Sequence, residues 1–224
     1  MVILSPADRE RVGAAVAKAE RSSNGEIVTV VAERSDAYHD VGLHYAVLAM
    51  LLVPAGLAAL PQPLIDRLLG LFTGWNETVT RSALMAALFV VLALAFLLVR
   101  YLLAYPPLRM ALTPGSTKAR RVRRRAIELF RAAAERRTTG RTGVLLYLSL
   151  LERRAEIVAD EAVHARVAPE LWGAAMASLL AEVKAGRAGE GMVQAIERIG
   201  AVLAEQVPLG QGDVNELPDR VITI

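Results

Sequence analysis

Two uncharged apolar runs decide most of what this chain can become: Leu43 to Leu60, and Ala83 to Val99, the second extendable past Arg100 through Tyr101 to Ala104. Each approaches the roughly 20 residues that cross a hydrocarbon core of ~30 Å. A fold of 224 residues can hardly cover two helices that are apolar all round, so both are expected to span a membrane, over about 43–60 and 83–104. Tyr45, Trp75, Tyr101 and Tyr105 stand near the run ends, where amphipathic rings prefer to sit. Arg100 can snorkel to the headgroups, and Pro54 with Gly56 offers a kink whose freed carbonyl a neighbouring helix can satisfy. Between the runs, Leu64, Ile65, Leu68, Leu69 and Phe72 recur at helical spacing within Pro63 to Trp75, a segment suited to lying in the interface.

The charge pattern orients these spans. Arg9, Arg11, Lys18, Arg21 and Arg34 precede the first, only Arg67 and Arg81 lie between, and Arg100, Arg109, Lys118, Arg120, Arg121, Arg123, Arg124 and Arg125 follow the second. The positive-inside bias then puts both termini in the cytoplasm, with the protein in the inner (plasma) membrane. The first run starts too late, after too many acids, to read as a cleavable signal.

The polar ends read as one α/β domain cut in two by this hairpin. Ser5-Pro6-Ala7-Asp8 is a helix start with a capping serine, and Val12, Ala15, Val16 and Ala19 form the apolar face behind it. Glu26 to Ala32 is a β-branched run suited to a buried strand. Beyond the hairpin, Pro106-Pro107 and Thr113-Pro114-Gly115 read as breakers. A basic helix then runs from Ser116 to Arg137, with Val122, Ala126, Ile127, Phe130 and Ala134 inward. Thr142 to Leu150 is a second apolar strand, Glu152-Arg153-Arg154 a turn, and Ala155 to Ala159 the return strand of a hairpin. Two helices follow, one opened by Pro169 and closed at Gly186, the next stopped by Pro208. Val221 to Ile224 can extend a sheet edge.

Neither polar part can bury a core alone. Joined, they give a small mixed sheet flanked by helices, with strands Glu26–Ala32 and Thr142–Leu150 parallel. A parallel pair needs a long crossover anyway, and lengthening a loop costs only logarithmically. The expected organisation is residues 1–41 and 106–208 as two parts of one domain, 42–105 as the membrane hairpin, and 209–224 as a tail.

This arrangement resembles the TPM domain family. The residues that carry the resemblance are the first helix with Asn24-Gly25-Glu26-Ile27-Val28-Thr29-Val30-Val31, then Arg141-Thr142-Gly143-Val144-Leu145-Leu146-Tyr147-Leu148-Ser149, then Glu152 to Asp160, and finally Gly191-Met192-Val193-Gln194-Ala195-Ile196-Glu197. They cover roughly 5–34 and 120–207 in the family's order. The resemblance implies an α/β domain. Some thylakoid members are associated with acid phosphatase activity and photosystem repair, others with accessory or regulatory roles. The chain departs from the family where an acidic residue often precedes the Gly-Val-Leu strand, since Arg141-Thr142 stands there. It departs again after the hairpin, which reads Asp160-Glu161-Ala162-Val163-His164. The acidic cluster of a phosphatase is thereby thinned.

The candidates for chemistry are few. Asp160, Glu161 and His164, with Glu152, are the candidate metal or acid/base residues, Asp160 and His164 lying four apart as two ligands on one helix face would. The plainer reading is a cap and surface residues. His39 and His44, with Asp36 and Asp40 nearby, read as a polar collar at the membrane surface, with a metal or proton site as the alternative. Lys118, Arg120, Arg121, Arg123, Arg124 and Arg125 form a juxtamembrane basic patch for anionic lipid. No aromatic platform accompanies it, so no nucleic-acid partner is expected. Without cysteine there is no disulfide, thiol nucleophile or iron–sulfur ligand, and no phosphate-binding glycine loop, nucleophile elbow or His-Glu-x-x-His motif occurs.

The expected function is therefore a membrane-anchored module acting through a protein partner as an accessory or regulatory component, without a resident cofactor. The alternative is a divalent-metal-assisted acid phosphatase using Ca2+ or Mg2+. A third reading has the spans forming homo-oligomers while the domain orients lipids.

Overall fold

The computed structural model describes residues 4–70, 80–133, 142–208 and 220–224. Its elements run α1 (Pro6–Glu20), β1 (Glu26–Ala32), α2 (His39–Ala59), α3 (Gln62–Gly70), α4 (Arg81–Leu102), α5 (Pro106–Leu112), α6 (Gly115–Ala133), β2 (Gly143–Ser149), β3 (Arg154–Ala159), α7 (Glu161–His164), α8 (Pro169–Lys184), α9 (Ala188–Gln206) and β4 (Ile222–Thr223). They form two compact units, 1–36 with 115–224, and 37–114. Phe72, Trp75, Ala134, Arg141 and the tail from 209 to 219 lie outside the described residues.

The first unit is built on a four-stranded sheet of order β3-β2-β1-β4. β1 and β2 are parallel, with Glu26 opposite Gly143 and Ala32 opposite Ser149, so the two distant stretches of chain do complete one sheet. β3 returns antiparallel on β2, and β4 adds parallel to the other side of β1. Both faces are covered, which is why β1 and β2 are buried at every residue and read as continuous rather than alternating runs. Ile27, Val31, Val144, Leu146 and Leu148 face α1, α8 and α9. Val28, Val30, Ala32, Leu145 and Tyr147 face α6 through Val122, Ala126 and Phe130.

Local chemistry sets the element ends. The Ser5 side chain accepts from Asp8 N at 3.1 Å and donates to the Asp8 carboxylate at 2.7 Å, with Pro6 in the first turn of α1. Gly186, between α8 and α9, has φ +80°, a left-handed conformation that glycine adopts without strain. α1 and α9 approach so closely that a Cβ on Gly200 would lie 2.6 Å from Ala19 Cβ.

The second unit, 37–114, contains α2 to α5. α2 and α4 are long and apolar enough to cross a membrane. They pack on each other where Ala46 is buried and Gly42 meets Leu103, while Leu51, Phe89, Leu94 and Leu98 stay exposed. α2 continues through Pro54. The expected interfacial segment is represented by α3, whose Leu64 and Leu68 are exposed. Pro106-Pro107, expected as breakers, instead open α5, because proline's missing N–H costs nothing in a first turn. Met110 of α5 is buried with Tyr38 and Val41, so this unit extends beyond the 42–105 read from the apolar runs.

Candidate functional site

At the carboxyl ends of β1 and β2, where parallel sheets commonly hold their sites, the first unit builds a buried polar network. Glu152 is 7% exposed in the β2–β3 turn. It accepts from Ser35 N at 2.8 Å and from the Ser149 hydroxyl in a short hydrogen bond. The Tyr147 hydroxyl lies 2.9 Å from Ser35 Oγ. Burial pushes the Tyr147 phenol above its ordinary pKa, against the pull of its hydrogen bonds to Ser35 and Ser149. Asp36 then accepts ion pairs from Arg121 at 3.0 Å and Arg124 at 3.4 Å. The network pins the chain as it leaves β1.

The other end of the sheet carries Asp160 and Glu26. Asp160 Oδ2 accepts from Gly143 N at 2.9 Å, so its carboxylate ties the end of β3 to the start of β2. Glu26, 5% exposed, sits opposite Gly143 in the register. Asp160 is the N-cap of the four-residue α7, and its own carbonyl accepts from His164 N at 2.8 Å. The Glu161 and His164 side chains are exposed.

The four expected acid/base or metal residues therefore do not converge. Glu152 and Asp160 flank β3 from opposite ends, separated by the length of Arg154–Ala159, roughly 17 Å of strand. Among the described residues no three His, Asp or Glu side chains come together to hold a metal ion. The donor set does not fit a divalent cation held by these four residues.

The basic patch is less free than its sequence suggests. Arg121 has only 17% of its side chain exposed and is committed to Asp36. Arg124 and Arg125 also meet Glu128, at 3.8 and 3.5 Å. Arg120, Arg123 and Arg124 remain exposed along α6, with Lys118 partly so. Glu156 on β3, near Arg123 and Arg154, has its carboxyl pushed above the ordinary range by burial, which outweighs both cations. In the second unit His39 meets Arg109 (Nη1 to Nδ1 3.4 Å), while His44 is exposed.

Sequence reasoning missed Ser35, Tyr147 and Ser149. The one signal available was the polar hydroxyls of Tyr147 and Ser149 inside an apolar strand, with Glu152 three residues beyond. It also missed Arg109 as a buried residue, because an arginine in a basic region reads as solvated.

Comparison with known proteins agrees with the architecture. The family model described as the TPM domain matches residues 108–202, from α5 into α9. Among solved structures, the NMR structure of BA42 protein from the psychrophilic bacterium Bizionia argentinensis superposes with a TM-score of 0.55 at 15% identity, covering 99% of this chain and 95% of that one. At that identity the likeness is one of fold. No curated protein matches the chain. α1 and β1 precede the matched residues and complete their sheet. Residues 108–202 are thus similar to the TPM domain, and the fold that α1 and β1 complete around them is like that of BA42.

Proposed function

We propose that this protein is a membrane-anchored TPM module that works by binding a protein partner at the cytoplasmic face of the inner membrane, as an accessory or regulatory component rather than a catalyst. The observation that carries this reading is the separation of Glu152 from Asp160 to opposite ends of β3, each spent on a backbone N–H. A hydrolytic site needs its acid, base and metal ligands within a few ångströms of one reacting atom. Anchoring is supported by α2 and α4, whose outward apolar side chains would otherwise face water. Lys and Arg crowd both polar ends and are sparse between the spans. Exposed Arg120, Arg123 and Arg124 add attraction to an anionic leaflet, each about 1 kcal/mol near the surface.

The test is an assay paired with capture. The purified chain in detergent should show no turnover of a generic phosphomonoester with calcium, magnesium or manganese, and photo-crosslinking from exposed positions on the polar unit in native membranes should recover the same partner repeatedly. Turnover that is lost in an Asp160→Ala/His164→Ala double variant would establish the phosphatase reading instead.

A further inference from the structure

Where β1 and β2 finish, the first unit gathers exposed groups that the Ser35–Glu152 network does not use. Leu151 N donates to the Glu33 carbonyl at 2.9 Å, and Glu33 N donates to the Ile224 carbonyl at 3.0 Å. Leu151, Glu33 and Ile224 therefore stand side by side along the rim of the sheet. Leu151 is 41% exposed and Ile224 45%. Among the described residues of the first unit, the other exposed large apolar side chain is Leu171 in the first turn of α8. It lies at the opposite end, because Arg166 just before α8 donates to the Gln206 carbonyl, and α9 finishes where the Val207 carbonyl accepts from Asn24 N ahead of β1. A single exposed leucine such as Leu171 is ordinary. The rim differs in that its apolar pair is set among cations.

Arg34 follows Glu33, and Arg153 lies two residues past Leu151 in the β2–β3 turn; both are exposed. Among the described residues no ion pair engages either guanidinium. Arg153 has φ +49°, a left-handed conformation that glycine takes freely and arginine only with strain. The turn thus keeps a cation at its tip where glycine would be the easier residue. Lys118, partly exposed in the first turn of α6, adds a third positive charge at this end. Glu33 is the opposing acid, while Asp36 is already paired with Arg121 and Arg124.

The chain itself limits what this rim can face. Both connections to residues 37–114 leave here, since Glu152 holds Ser35, and a Cβ on Gly115 would lie 3.5 Å from Arg154 Nη2 at the start of β3. Three residues take the chain from Asp36 to His39, the first of α2, a reach of about 11 Å when fully extended. The uncharged apolar run begins one helical turn later, at Leu43. A folded protein partner would have to fit within that tether, which is about the width of one helix. A lipid surface needs no such gap, and it offers an apolar boundary for the leucine and isoleucine and phosphates for the arginines.

We propose that this rim rests on the anionic leaflet that α2 enters, with Leu151 and Ile224 at the boundary of headgroups and acyl chains and Arg34 and Arg153 on lipid phosphates. This rests on the membrane-anchored reading above and adds to it which surface of the polar unit meets the lipid.

The chain has no cysteine, so single substitutions place one NBD fluorophore at a chosen position of the full chain in nanodiscs. Leu151→Cys probes the rim, Leu171→Cys the opposite end at similar exposure, and Phe89→Cys the exposed face of α4. In discs of equal phosphatidylglycerol and phosphatidylcholine, the Phe89→Cys and Leu151→Cys labels should resist reduction by aqueous dithionite, while the Leu171→Cys label is reduced at once. Phosphatidylcholine alone should lessen protection of the Leu151→Cys label and leave that of Phe89→Cys unchanged. Arg34→Gln with Arg153→Gly should lower the ratio of protected to reduced Leu151→Cys label roughly tenfold or more, the scale of two cations lost from an anionic surface. Because Arg153→Gly relieves the left-handed residue, this variant should keep its thermal midpoint, which separates lost docking from lost folding. Equal reduction of the Leu151→Cys and Leu171→Cys labels beside a protected Phe89→Cys label would overturn the proposal and leave the membrane reading standing. Protection at Leu151→Cys that ignores both lipid charge and the arginine pair would also overturn it, in favour of contact with another copy of the chain. A Phe89→Cys label open to dithionite would instead remove the membrane reading itself.

Discussion

Glu156 illustrates how far one side chain's environment can run against its sequence context. Placed among Arg123 and Arg154, it would be expected to ionise easily, yet burial on β3 beneath α6 holds its carboxyl above the ordinary range. The folded chain then keeps a proton that the unfolded chain releases at about pH 4.3. From there up to the raised value the native state binds more protons, so this group's contribution to stability falls as pH rises and stays lost above it. Glu156→Gln should accordingly be more stable than the wild type at pH 7, by about 1 kcal/mol or less, with the two converging near pH 4. Urea titrations read by pulse proteolysis at the two pH values check this. Asp8 and Glu182, whose carboxyls are held low by Ser5 and Arg187, are common to both proteins and cancel. The same contrast marks the limits of reading single residues from sequence. Ser5 was legible as a cap because capping acts over three residues. Arg109 and Ser35 were not, since their partners lie 70 and 117 positions away.

Elements were legible where local pattern and burial agree. β1 and β2 are continuous apolar runs because helices cover both faces, and α1, α8 and α9 carry their own start and stop residues. Pro106-Pro107 misled because proline both ends and begins helices, and only the packing of Met110 decides which. The approach of α1 to α9 had no sequence signature beyond a glycine and an alanine on facing helices. That contact is tight enough to test. Gly200→Ala would place a Cβ 2.6 Å from Ala19 Cβ and 3.2 Å from Ala19 Cα. Overpacking of this kind costs roughly 1–3 kcal/mol, more than the gain alanine brings to a helix interior. Ala19→Gly should be destabilising alone yet recover part of the loss when combined with Gly200→Ala. A double-mutant cycle by urea denaturation should therefore show non-additivity of about 0.5 kcal/mol or more; additive effects would mean that the helices separate freely.

At the scale of the molecule, the question is what the polar unit owes to the segment that interrupts it. Its core is its own: strands from before and after the interruption pair over seven residues, and the buried clusters on both faces of the sheet draw only on residues before 33 and after 115. The exits of the interruption are also fixed within the unit. Glu152 and Tyr147 hold Ser35, and Asp36 is ion-paired to Arg121 only six residues into α6, about 9 Å along the helix axis. A flexible linker of about ten residues, with a root-mean-square reach of roughly 17 Å, can therefore join Asp36 to Gly115 in place of 37–114. Because closure entropy grows only as the logarithm of loop length, the shorter connection should favour folding slightly. The linked protein is expected to be soluble without detergent, monomeric and cooperatively unfolding. Asp36→Ala in that background should cost about 1 kcal/mol or less, as a partly exposed ion pair does. Size-exclusion chromatography and chemical denaturation read both outcomes. Aggregation or a non-cooperative transition would mean that the sheet depends on residues 37–114 for more than their connection, and that the two units fold as one.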